Sequence, residues 1–99
     1  MITLVAKLQA AEGKEAELQA ALLGMVANVA KHEPGVPVYS VHTSDTEKGL
    51  FMFYEQYADA AAQTAHGTTD HMKAFGASLA GLLAGRPAIE RYTQIGGVK

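Results

Sequence analysis

The segment LFMFYEQYADAAAQTAHGTTDHMKAF, residues 50–75, decides the architecture. Leu50 to Tyr57 is apolar on both sides of an extended chain, with Phe51 and Phe53 on one face and Leu50, Met52 and Tyr54 on the other. That pattern predicts a third strand buried on both faces. Asp59 then caps a short helix, Ala60 to His66, which Gly67 ends, and Thr69 or Asp70 caps a third helix. His66 and His71 therefore stand at the two edges of a Gly-Thr-Thr link. They form the one compact set of titratable groups beside an apolar wall.

Upstream, Ile2 to Gln9 alternates Ile2, Leu4, Ala6 and Leu8 against Thr3, Val5, Lys7 and Gln9, the period of a strand. From Lys14 to Lys31 the spacing of Leu18, Leu22, Met25 and Val29 is helical, with acids early and Lys31 late, and Pro34-Gly35 stops it. Val36 to Thr43 is the second strand, with Pro37 at its start or on an edge. Downstream, Met72, Phe75, Leu79 and Leu82/Leu83 continue a helical stripe that fades through Gly81 and Gly85. Pro87 to Ile95 is the last strand.

The resulting order βαββααβ is that of an α+β, ferredoxin-like sandwich, one antiparallel sheet with its helices on one face. Water on the other face would deny Leu50, Met52 and Tyr54 roughly 1.5 to 3 kcal/mol of burial each. A partner sheet, and so a homodimer, is expected.

The 99 residues suit one domain, 1–99, with formal net charge −2 and no cysteine. Disulfides and thiolate chemistry are excluded, and no basic stripe invites nucleic acid. MITLVAKLQA has neither a charged leader region nor a cleavage site, and no apolar run reaches the roughly 18 residues of a membrane span. No membrane association and a cytoplasmic location are expected.

Half-buried imidazoles near neutrality suit general acid/base work. His71 flanks the Met72, Phe75, Leu79 stripe, and its competing reading is a capping or hydrogen-bonded histidine at a helix start. His66 either fills space structurally or projects into a cavity. The two are five residues apart across Gly67, so they lack the same-face spacing that offers zinc two ligands, and no metal site is expected. His32 and His42 are read as solvated or structural. Glu55 shares a face with Phe51, Phe53 and Tyr57; it is read first as a hydrogen-bonded structural or interface group and second as a catalytic acid.

The run Phe53-Tyr54-Glu55-Gln56-Tyr57, then Ala65-His66 and His71-Met72-Lys73-Ala74-Phe75, resembles the signature of the antibiotic biosynthesis monooxygenase superfamily. The Glu33-Pro34-Gly35 turn and Leu83-Ala84-Gly85 are similar to it as well. The resemblance implies a dimeric α+β barrel of two ferredoxin-like sheets, with one small-molecule pocket per subunit and no flavin, haem or metal cofactor. The Ala-His-x4-His-Met-Lys-Ala-Phe run is especially similar to bacterial quinol monooxygenases. Tyr54-Glu55-Gln56-Tyr57 with His66, Thr68-Thr69 and His71 also resembles the branch that isomerises a phosphorylated autoinducer-2 breakdown intermediate. Ala6, His66 and Gly76 stand where the haem-degrading branch has asparagine, tryptophan and histidine, which argues against haem degradation. The aromatic-polyketide enzymes likewise have a tryptophan at the place of His66.

On this reading the protein is expected to be a cofactor-independent monooxygenase that uses molecular oxygen on a quinol or related small aromatic substrate. His66 is the first choice of base, His71 a second base or orienting group, and Phe53, Tyr57 and Phe75 an aromatic wall. The alternatives are an isomerase of a small phosphorylated hydroxy-ketone, with only dispersed Lys31, Lys73, Arg86 and Arg91 as anion site, and a non-catalytic ligand-binding dimer.

Overall fold

A computed structural model describes residues 1–98; Lys99 lies outside the described residues. The elements run β1 (Ile2–Gln9), α1 (Glu15–His32), β2 (Val38–Thr43), β3 (Leu50–Tyr57), α2 (Ala60–Gly67), α3 (Asp70–Ser78) and β4 (Ala88–Thr93). The four strands form one sheet in the order β2-β3-β1-β4, every pair antiparallel. This is the expected ferredoxin-like α+β fold.

Register fixes which side chains share a face. Tyr39 lies opposite Glu55, Glu55 opposite Leu4 and Leu4 opposite Arg91, so these four make one row across the sheet. Ala6 and Phe53 occupy the next row and Leu8 and Phe51 the one after. This face meets α1, whose stripe Leu18, Leu22, Met25 and Val29 is buried against Ala6, Leu8, Phe51 and Phe53. The sequence left open which face of β3 meets the helices; it is the Phe51, Phe53, Glu55, Tyr57 face. On the opposite face Leu50, Met52 and Tyr54 are half-buried.

Three sequence expectations need correction. Strand β2 starts at Val38 rather than Val36, because the Val36 N–H closes a turn onto the Glu33 carbonyl at 3.1 Å and Pro37 has no N–H to give. The third helix ends at Ser78, so Leu79, Leu82 and Leu83 do not continue it. Gly81 adopts φ 77°, a left-handed turn that stops a helix. The chain then doubles back along the end of β1, with Ala11 N–H to the Leu82 carbonyl and Ala84 N–H to the Gln9 carbonyl, both at 2.8 Å. Leu82 is still buried, by tertiary return and not by helical periodicity. The last strand covers Ala88–Thr93, shorter than the Pro87 to Ile95 run expected, and its residues are exposed on both faces. No helix of the described residues is long and apolar enough to cross a membrane.

Candidate active site

Local structure delivers His66 and His71 much as expected. Asp59 accepts from the Ala62 N–H at 2.8 Å and starts α2, and Thr69 accepts from the Met72 N–H at 3.1 Å and starts α3. Each cap satisfies an N–H left over by the first helical turn. Less expected is what they meet. Helix α1 ends at His32, and the Glu33-Pro34-Gly35 turn crosses under α2, pinned by the Ala58 N–H to the Gly35 carbonyl at 3.0 Å. A Cβ on Gly35 would stand 3.0 Å from the Ala62 side chain, so any other residue there would press on α2.

That turn carries Glu33 between the two imidazoles. His66 Nδ1 lies 2.9 Å from Glu33 Oε1 and His71 Nε2 lies 2.5 Å from Glu33 Oε2. The Glu33 and His66 side chains are each 8% exposed and that of His71 14%. A carboxylate only accepts, so each facing ring nitrogen carries the hydrogen. For neutral His66 this leaves the lone pair on Nε2. Among the described residues Nε2 has no hydrogen-bond partner, and no buried side-chain nitrogen or oxygen is left unpartnered. Nε2 is therefore open to the space that His66 borders.

That space is a cavity of about 180 Å³ between the sheet and α3. Its walls are apolar: Leu4, Ala6 and Leu8 from β1, Phe53 from β3, Met72, Phe75 and Leu79 from α3 and the turn after it, and Pro87 and Ile89 at the rim. Its titratable side chains are Tyr39, Glu55 and His66. Among the described residues no lysine or arginine lines it. A second hollow of about 160 Å³, beside α1 and the end of β2, has the exposed His42 imidazole as the one titratable group among its described lining residues.

Glu55 is buried and accepts from the Tyr57 hydroxyl at 2.5 Å through Oε1. Its other oxygen has no partner within the protein and is not sealed away. Burial pushes its pKa above the ordinary carboxylate range and Glu33 adds to this, while the Tyr57 hydrogen bond and His66 pull it back. Tyr39 and Tyr57 are both raised, first by burial; next come the Glu55 charge for Tyr39 and the Glu55 hydrogen bond for Tyr57. The Tyr39 and Tyr57 rings pack 5.3 and 5.5 Å from that of His66.

Of the residues singled out in the sequence, His66, Phe53 and Phe75 come together on the cavity wall. His71 does not border it; it stands on the far side of Glu33, stacked on His32 at 5.6 Å beside a surface cleft. Tyr57 is fully buried behind Glu55 and reaches the cavity only through that carboxyl. Two site residues were passed over. Glu33 stands in the Glu33-Pro34-Gly35 turn, one of the motifs of the resemblance, and Tyr39 carries no local signal that separates it from other sheet tyrosines.

Residues 1–78 match the family model for antibiotic biosynthesis monooxygenase. The chain belongs to the antibiotic biosynthesis monooxygenase family. Within that fold it is similar to a Caulobacter crescentus protein provisionally named as such a monooxygenase, with 38% identity over 96% of this chain and 90% of that one, at a TM-score of 0.91. A Pseudomonas aeruginosa protein is 29% identical, covering 96% of this chain and 94% of its own, with a TM-score of 0.87. One from Shewanella oneidensis is 28% identical, covering 94% and 89%, with a TM-score of 0.85. No protein of curated function matches the sequence.

Proposed function

We propose that the protein is a cofactor-independent monooxygenase acting on a small, uncharged quinol or related phenol, with molecular oxygen as co-substrate. One arrangement carries this: His66 is tied through Nδ1 to Glu33 and turns Nε2 toward an apolar cavity. A base so held takes a phenolic proton without first reorienting. The electron-rich anion then passes an electron to oxygen, and recombination places oxygen on a ring carbon. Phe53 and Phe75 flank the ring, Tyr57 acts through Glu55, and His71 orients the base through Glu33. An apolar cavity of about 150 Å³ holds a benzene ring, so the observed 180 Å³ suits one ring or a compact fused pair.

The isomerase alternative requires an anion site for phosphate, and the lack of lysine or arginine among the described residues of the lining weighs against it. The subunits pair as homodimers in this reading, through the half-buried Leu50, Met52 and Tyr54 face. The protein acts in the cytoplasm.

The test is oxygen uptake with reduced naphthoquinols and simple phenols, corrected for autoxidation. Wild type consumes oxygen, and His66→Ala loses about 100-fold to 10,000-fold in rate. Uptake no faster than the blank across the panel sinks the monooxygenase. Turnover of a phosphorylated hydroxy-ketone in its place establishes the isomerase.

A further inference from the structure

We propose that Glu55 is a second catalytic residue, the acid that delivers a proton to the departing oxygen when the oxygenated intermediate breaks down. The inference rests on the monooxygenase reading above. Its basis is geometric: a buried carboxyl borders the same cavity as the open nitrogen of His66, with one oxygen fixed by Tyr57 and the other free. A carboxyl placed only to brace the sheet has no need of a free oxygen at a cavity wall. Glutamate in such surroundings is held toward its neutral form by desolvation, and a neutral carboxyl is a donor as well as an acceptor.

Every packed element contributes to its setting. Tyr39 faces it from β2, Tyr57 from its own strand and His66 from α2. Glu33 acts on it from the turn after α1, and Arg91 stands across Leu4 in the same row on β4. Helix α3 presents Met72, Phe75 and Gly76 to the cavity, which carry no charge.

The chemistry balances with the groups present. Oxygenation of the quinol anion leaves a ring carbon bearing hydrogen and a peroxide anion, which takes back the proton held by His66. Completing the reaction requires the C–H and O–O bonds to break and a C=O bond to form. Neutral His66 removes the carbon-bound proton, and that electron pair becomes the new C=O bond. The O–O pair leaves with the terminal oxygen, which Glu55 protonates to give water. The imidazolium and carboxylate left behind face one cavity, so a proton returned from His66 to Glu55 resets the site. In sum, quinol and oxygen give a hydroxylated quinone and water. Without the acid, the hydroperoxide departs as hydrogen peroxide and leaves plain quinone, the two-electron branch of the same intermediate.

The experiment measures oxygen uptake, hydrogen peroxide and hydroxylated quinone together, with 1,4-naphthoquinol as substrate, for wild type, Glu55→Gln and His66→Ala. The expected outcome for Glu55→Gln is oxygen uptake within about threefold of wild type, with the elimination step slowed about 100-fold, so that hydrogen peroxide replaces hydroxylated quinone. Unchanged hydroxylated-quinone yield overturns the proposal. So does a parallel loss of uptake and yield in a folded variant, because the carboxyl then serves an earlier step.

If Glu55→Gln does not fold, Tyr57→Phe serves instead. It removes a bond that favours the Glu55 anion, so hydroxylated-quinone formation, which fails as pH rises through the acid's pKa, persists to higher pH. An unmoved limit overturns the proposal.

Infrared spectroscopy of wild type separates this inference from the parent reading. A protonated-carboxyl band is expected to persist above the value of about 4.3 at which an unperturbed glutamate loses its proton, and to shift when 1,4-naphthoquinone binds. If oxygen uptake fails while that band is present and responds, the monooxygenase reading falls and the proton-delivery step with it, leaving only a neutral carboxyl at the cavity. If the band is absent, the proposal falls whatever the oxygen electrode records.

Discussion

Glu33 and Glu55 are the same residue type, nearly equally hidden, and the fold puts them to opposite uses. Glu33 is 8% exposed at its side chain and spends both oxygens on imidazole N–H groups. Glu55 is 6% exposed, has one hydroxyl donor, and turns its remaining oxygen to an apolar cavity. Donors on both oxygens make the anion a fixed brace, whereas apolar walls and a single donor favour a carboxyl that keeps its proton. Burial alone does not set a carboxylate's role; the number of donors that meet it does.

The contrast is open to attack, most strongly at Glu33. Glu33→Ala leaves two imidazole N–H groups without their acceptor and is expected to cost about 1–3 kcal/mol for each, measured by urea unfolding. Oxygen uptake should fall toward the level of His66→Ala, since no hydrogen bond then fixes the ring. A variant as stable and as active as wild type would reduce the brace to a bystander.

His71→Ala removes one of the two donors from Glu33 but leaves His66 in place. An expected loss of about 1–2 kcal/mol, and a smaller fall in rate than for His66→Ala, separate a bracing histidine from a second base. Equal rate losses for His66→Ala and His71→Ala would instead put His71 in the chemistry. Thr69→Ala tests the support of the same arm: it removes the side-chain cap of α3 and should cost about 1 kcal/mol by thermal unfolding, with rate affected less than stability.

The smallest effect on stability is expected at Glu55. Its folded pKa lies above the unfolded value, so the fold binds that proton more tightly than the open chain does. The associated stability is complete below the unfolded pKa, about 4.3, and is lost as pH rises through the folded value. Glu55→Gln accepts the same Tyr57 hydroxyl without a charge to bury. Relative to wild type it should gain stability across that window and hold the gain at neutral pH. Stability falling below wild type as pH rises would place Glu55 beside Glu33 as a bracing anion and dissolve the comparison.

Periodicity and punctuation were enough for most of the fold. Alternation in Ile2 to Gln9 and the doubly apolar Leu50 to Tyr57 marked strands whose bounds the structure reproduces. The apolar spacing and Pro34-Gly35 marked α1, Asp59 marked the start of α2, and Thr69 or Asp70 that of α3; the caps that accept an N–H are Asp59 and Thr69. Where the reading failed, a local pattern was interrupted by a contact distant in sequence. Leu82 continues a helical spacing but is buried because Gly81 turns the chain back onto β1.

The site was legible in part. The sequence marked His66, Phe53 and Phe75, which share the cavity wall, because an imidazole or aromatic ring beside an apolar run is a local signal. It could not show that Glu33, 33 residues before His66 and 38 before His71, closes between them. Nothing about a glutamate after a helix distinguishes a solvated end from a buried brace. Nor could it tell which flank of α3 carries His71 away from the cavity, or that Tyr39 turns inward across from Glu55. Sequence by itself determined the elements, their order and the family, since these follow from backbone preferences and periodic burial within a few residues. Tertiary structure alone decided which carboxylate meets two donors and which meets one, because hydrogen-bond partners and desolvation are properties of the packed chain.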